Sequence, residues 1–143
     1  MNAQEQRNKF WNYFDNYLKK QGSPFYICHT KGGVNQAAGN INTNNPMEMQ
    51  TICCEFKYRE QVLLVQVYIN GNVLLYDRLY KNREQIEKEL GFTVQWVCGG
   101  VKSDNVRRIQ KVFPIYDEYY YPEVIEQAFP YILSFIKVFD KYI

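Results

Sequence analysis

Glu55 and Lys57 stand two apart in the run Gln50-Thr-Ile-Cys-Cys-Glu-Phe-Lys-Tyr58. On an extended chain, residues two apart point the same way, so this carboxylate and ammonium share one face. Metal-dependent nucleases use such a pair: carboxylates hold Mg²⁺ against a phosphate while the lysine stabilises the developing charge. Glu48, in Pro46-Met-Glu48, is the nearby candidate for a second acid. It falls on the same strand or its lead-in, whereas such sites take their first acid from a separate element. The simpler reading of Glu55 and Lys57 is a charge pair on a wet strand face. They are weak catalytic candidates.

Lys102, Arg107, Arg108 and Lys111 place four cations within ten residues. Guanidinium and ammonium groups at that density are the nucleic-acid or phosphate-binding candidates of the chain. Strand alternation would put Arg108 with Val106 and Gln110, and Arg107 with Ile109 and Lys111, so the group is split between two faces. The ordinary alternative is an edge strand kept soluble by its charges. Tyr119, Tyr120, Tyr121, Trp11 and Tyr13 are stacking candidates, although aromatic residues at helix spacing are normally core.

His29 is the single histidine, flanked by Cys28 and Thr30, and no acid or nucleophile spacing around it matches a catalytic constellation. Cys28, Cys53, Cys54 and Cys98 form no CxxC pair, and adjacent Cys53 and Cys54 should face opposite sides of a strand. Neither a zinc site nor a disulfide framework is expected, and no metal or cofactor is assigned. Gly32-Gly33 and Gly99-Gly100 lack the spacing of a nucleotide fingerprint and read as turns.

These residues need a scaffold, and the apolar pattern supplies one. Residues 50–58 alternate Ile52, Cys54, Phe56 and Tyr58 against a wetter set. Residues 62–69 are β-branched and apolar on most of both faces, so this second strand should lie inside the sheet with cover on both sides. Arg59-Glu60-Gln61 is the turn between them. Residues 2–20 repeat Phe10, Trp11, Phe14, Tyr17 and Leu18 at helical spacing, and Gly22 with Pro24 ends that helix. Residues 25–30 read as a short strand, and the Asn- and Gly-rich residues 31–45 as a long loop.

Asn72 caps a predicted helix over residues 73–90, stopped by Gly91. Two strands follow, over 92–98 and 106–113. A last helical segment opens at Pro122 and runs to Ile143, with Pro130 a kink or break. The fold class is therefore α+β: a mostly antiparallel sheet of four or five strands with an N-terminal helix, a mid-chain helix and a C-terminal helical segment packed on it. Residues 1–143 form one domain.

Composition narrows the function classes. A 46% hydrophobic and 17% aromatic chain of 143 residues has enough core to fold without staples. Seventeen basic against fifteen acidic residues leave a formal +2, too little for the global field of a dedicated duplex binder. No apolar leader or membrane-length run is present, so the expectation is a cytoplasmic protein with reduced thiols.

The phrases Arg7-Asn-Lys-Phe-Trp11 with Phe14, Tyr17, Leu18 and Gly22-Ser-Pro24, then Val67-Tyr-Ile69, Leu75-Tyr-Asp77, Leu79-Tyr80, Arg83-Glu84, Ile86-Glu87, Glu89-Leu-Gly91 and Trp96, resemble the bacterial family known as domain of unknown function 4268. Lys102 and Arg108-Ile109 resemble that family's late Lys…Arg-Ile signature. The resemblance spans nearly the whole chain. It implies a small α+β domain found alone or fused behind a PD-(D/E)XK-like endonuclease domain, in proteins associated with restriction or defence against foreign DNA. It implies no need for Glu55 and Lys57, and it favours Lys102 and Arg108 as functional residues.

The expectation is then a non-catalytic accessory or binding module in a nucleic-acid or restriction/defence setting, its partner nucleic acid or a nuclease. A small-nucleotide-binding protein using residues 31–45 is the alternative, and a Mg²⁺-dependent nuclease a more distant one. No membrane partner is expected. Exposed aromatics on the first or last helix would suit a homodimer.

Overall fold

The computed structural model describes residues 2–23, 26–30, 33–40, 49–100 and 103–143. Helix α1, Ala3–Gln21, begins where the Asn2 side chain accepts from the Glu5 N–H, and it ends at Gly22 with φ 63°. A left-handed residue closes a helix cheaply only when it lacks a Cβ. Phe10, Trp11, Phe14 and Leu18 form its buried stripe.

Six strands then make one antiparallel sheet: β1 (Tyr26–Thr30), β2 (Gly33–Asn40), β3 (Met49–Lys57), β4 (Val62–Asn70), β5 (Gln95–Gly100) and β6 (Ser103–Pro114), in the order β1-β2-β3-β4-β6-β5. The expected hairpin is the centre of this sheet, paired from Met49↔Asn70 to Lys57↔Val62. Its turn is pinned at Gln61, a non-glycine residue with φ 53°. The Gln61 N–H and side-chain amide both donate to the Tyr58 carbonyl, while the Gln61 carbonyl accepts from the Ile115 N–H.

The α+β expectation holds, with two local corrections. Gly33–Asn40, expected within a loop, pairs as β2 between β1 and β3. Its small and polar residues carry no apolar period, and their pairing comes from the ladder that β3 offers. The rest of the expected loop, residues 31–32 and 41–45, lies outside the described residues. The mid-chain helix is two helices, α2 (Val73–Lys81) and α3 (Arg83–Leu90). At the junction the Asn82 side chain donates to the Arg78 carbonyl, a local bond that competes with helix continuation. Asn72 caps α2 as expected, accepting from the Leu75 N–H at 3.0 Å.

Helix α4, Tyr121–Phe139, runs on through Pro130 rather than breaking there. The four described α-helices pack against the same sheet face. Ile52, Cys54, Phe56, Leu63, Val65, Val67, Ile69, Ile109 and Phe113 of the sheet join the helical Phe10, Leu79, Ile86, Ile132 and Phe135 in one core. The middle of β4 is buried on both sides, as expected: Leu63, Val65 and Val67 lie under the helices, and Leu64 and Gln66 are buried on the opposite face, where no described helix lies. No described helix is long and apolar enough to cross a membrane.

Candidate functional site

Register decides where the predicted cations go. β6 pairs with β4 through Val67↔Ile109 and Ile69↔Arg107, so Arg107 and Lys111 share the helix-covered face with Ile109. The Arg107 guanidinium stands 6.0 Å from the Tyr76 ring centroid, and Lys111 Nζ stands 5.7 Å from both Phe92 and Tyr131. Arg108 points to the other face, 5.6 Å from the Tyr68 ring. These are cation–π contacts, in which an aromatic face partly replaces the water a charge has lost. Lys102 lies outside the described residues. The three described cations are not brought together. Burial, with a hydrogen bond to Cys98, pushes the Tyr76 hydroxyl well above its ordinary pKa.

The other sheet face carries no described helix. Cys53, Gln66, Gln110 and Gln95 stand in one row across four strands. Cys53, Leu64 and Gln66 are buried on this side yet take no part in the helix-side core. The Gln66 amide donates to Glu55 Oε2 at 3.3 Å and to Cys53 Sγ at 3.5 Å, which fixes its orientation. Gln66 Oε1 is then left buried and without a hydrogen-bond partner. Around this row, Tyr68, Val97, Arg108 and Val112 are half-buried. Polar and apolar groups alternate there in a way unlike a fully solvated face.

Glu55 and Lys57 also border a cleft of about 630 Å³ at the hairpin end of β3, lined by Arg7 and by the run from Glu55 to Glu60. Sequence spacing gave no sign of Arg7, which is about fifty positions away and reaches the cleft through the packing of α1. Among the described residues no group of three His, Cys, Asp or Glu side chains is placed to hold a metal ion. Cys53 and Cys54 face opposite sides, as expected, and burial pushes the Cys54 thiol well above its usual pKa, with Cys53 adding to the shift. The His29 and Cys28 side chains lie outside what the structure describes.

The profile of the family described as Domain of unknown function (DUF4268) matches residues 6–143. The chain belongs to this family. Many of the residues that carry the DUF4268 likeness prove to be core: Trp11, Phe14, Leu18, Leu75, Leu79, Ile86 and Leu90 are all buried. Membership in DUF4268 is therefore written largely in packing. No curated protein matches the chain in sequence. Among solved structures, a chain in "Crystal Structure of the ExsC-ExsE Complex" is similar to it with a TM-score of 0.50 at 10% identity, covering 99% of this chain and 96% of that one. At that identity the likeness is one of fold alone.

Proposed function

We propose that this DUF4268 domain is a non-catalytic binding module that takes a partner polypeptide on the sheet face that carries no described helix, here called the free face. The carrying observation is that Tyr68, Val97 and Val112 stay half-buried on that face, while the helices cover the opposite side. Burying apolar area is worth about 25 cal/mol per Å² removed from water, so a partner laid over Val97, Val112 and Tyr68 gains from a surface that the domain leaves half-covered. The similar solved chain comes from a complex of two proteins, which accords with this reading.

A photoreactive side chain placed at Val97 or Val112 should crosslink a discrete partner in the cells that make the protein. The same probe at Leu74, 81% exposed on the outer side of α2, should not. Equal labelling at Leu74, or none at the sheet positions, sinks the proposal.

A nucleic-acid partner, in a restriction or defence setting, is the second reading. Arg108 is what favours it, because that guanidinium stays on the free face beside an aromatic ring. Such binding would weaken steeply with salt and be lost in Arg108→Ala. Salt-insensitive binding, or none, removes it.

A further inference from the structure

Three cations from separate places converge on the cleft at the end of β3. Arg7 comes from α1, Lys57 from the last position of β3 and Arg59 from the following turn. The backbone that carries each is held in place. Phe10, one helical turn beyond Arg7, lies stacked on Phe56, so α1 is fixed over the strand that carries Lys57. The turn bearing Arg59 is fastened by the bonds between Gln61, Tyr58 and Ile115.

None of the three forms an ion pair among the described residues; the ion pairs there are Lys9–Glu118, Lys19–Asp15 and Lys141–Glu89. Two carboxylates, Glu55 and Glu60, border the same cleft, so three positive charges stand against two negative ones. Glu55 accepts from the Gln66 amide on the sheet side, and Glu60 is exposed in the turn. The unsatisfied charge in the cleft is positive.

We propose that this cleft binds a phosphate monoester. The lining keeps a positive surplus, and a phosphate monoester is an anion that offers three acceptor oxygens, one for each of the three cations. Two of the three cations are arginines, whose planar forks suit phosphate oxygens. A volume of about 630 Å³ falls in the range of small-molecule sites. The monoester has two chemical sources, a mononucleotide or the 5′ end of a strand, and the free phosphate ion is the minimal probe of the same oxygens. The site stands apart from the free-face reading, and either can fail alone.

The test is calorimetric titration of the full chain with sodium phosphate, adenosine monophosphate, and a 5′-phosphorylated oligonucleotide beside its 5′-hydroxyl twin, all at constant ionic strength. Saturable binding of at least one phosphate-bearing probe is expected, weakened at least about tenfold in Arg7→Gln and in Lys57→Gln. Thermal melting of both variants serves as the folding control. The probe that binds identifies the source. Three results overturn the proposal: no saturable binding by any probe, unchanged affinity in both folded variants, or an oligonucleotide as sole binder with its 5′-hydroxyl twin equally tight.

Discussion

The Phe10 ring lies stacked on the Phe56 ring, centroids 4.3 Å apart and planes 15° from parallel. Tyr121 meets both rings edge-on, at 5.2 Å from Phe10 and 5.5 Å from Phe56. One aromatic cluster therefore ties the first helix, the third strand and the last helix together. Phe10→Ala should lower unfolding stability by about 3–5 kcal/mol, the cost of a large cavity in a buried aromatic site. Phe56→Ala should cost a similar amount, and the double variant less than the sum, because the rings share one contact. Denaturant titration of the four proteins measures this.

Gln66 predicts an asymmetry. Gln66→Leu removes an orphaned buried oxygen along with the bond to Glu55, so its effect should stay within about 1 kcal/mol. Gln66→Glu sets a buried carboxylate beside half-buried Glu55 and should cost about 2–4 kcal/mol at neutral pH. Burial and the neighbouring charge raise the new group's folded-state pKa. Its stability deficit should therefore be absent below the unfolded carboxylate pKa and grow as pH rises through the folded value. Thermal melts between acid and neutral pH separate the two variants.

Tyr121 and Glu118 predict opposite ends of the pH profile. The Tyr121 hydroxyl donates to Gln6 Oε1 at 2.7 Å, and Gln6 donates in turn to Glu118 Oε2 at 3.1 Å. Burial first, then the charges of Glu118, Tyr58 and Asp117, pushes the Tyr121 pKa up from 10.0 to about 12. Its contribution is complete below pH 10 and disappears as pH rises through about 12. Glu118 runs the other way: the Gln6 hydrogen bond, then Lys9, holds its carboxyl below the usual 4.5. That contribution is present above 4.5 and disappears as pH falls through the folded value. Tyr121→Phe should flatten the alkaline limb, and Glu118→Gln the acid limb, of melting temperature against pH.

Lys111 and Arg108 predict separable effects. Lys111 lies against Phe92 and Tyr131 on the helix side, so Lys111→Ala should lower stability by about 0.5–2 kcal/mol and leave free-face binding unchanged. Arg108→Ala should leave the core intact and weaken any anionic partner of the free face. Chemical denaturation read beside a binding assay distinguishes the two.

Much of the architecture was legible in the sequence, because the alternation of Ile52, Cys54 and Phe56 against Leu63, Val65 and Val67 is set by one local rule. The caps at Asn72, Gly22 and Gly91 were legible for the same reason: each satisfies backbone groups within a few residues. Strand β2 was not, since Val34, Ala37 and Ala38 show no apolar period and acquire their structure from the neighbouring strands. Nor was the break at Asn82, where a side-chain bond to the Arg78 carbonyl interrupts an otherwise continuous helical pattern.

The amino-acid sequence by itself determined which residues share a face, including the separation of Arg108 from Arg107 and Lys111, because side-chain direction along a strand depends only on parity. Tertiary structure decided which face the helices cover and which positions meet across long separations. Arg7 borders the same cleft as Lys57 and Arg59 because α1 packs Phe10 on Phe56, and buried Gln66 stands in a row drawn from four strands. Those outcomes depend on non-local packing, for which no short stretch of sequence carries a signal.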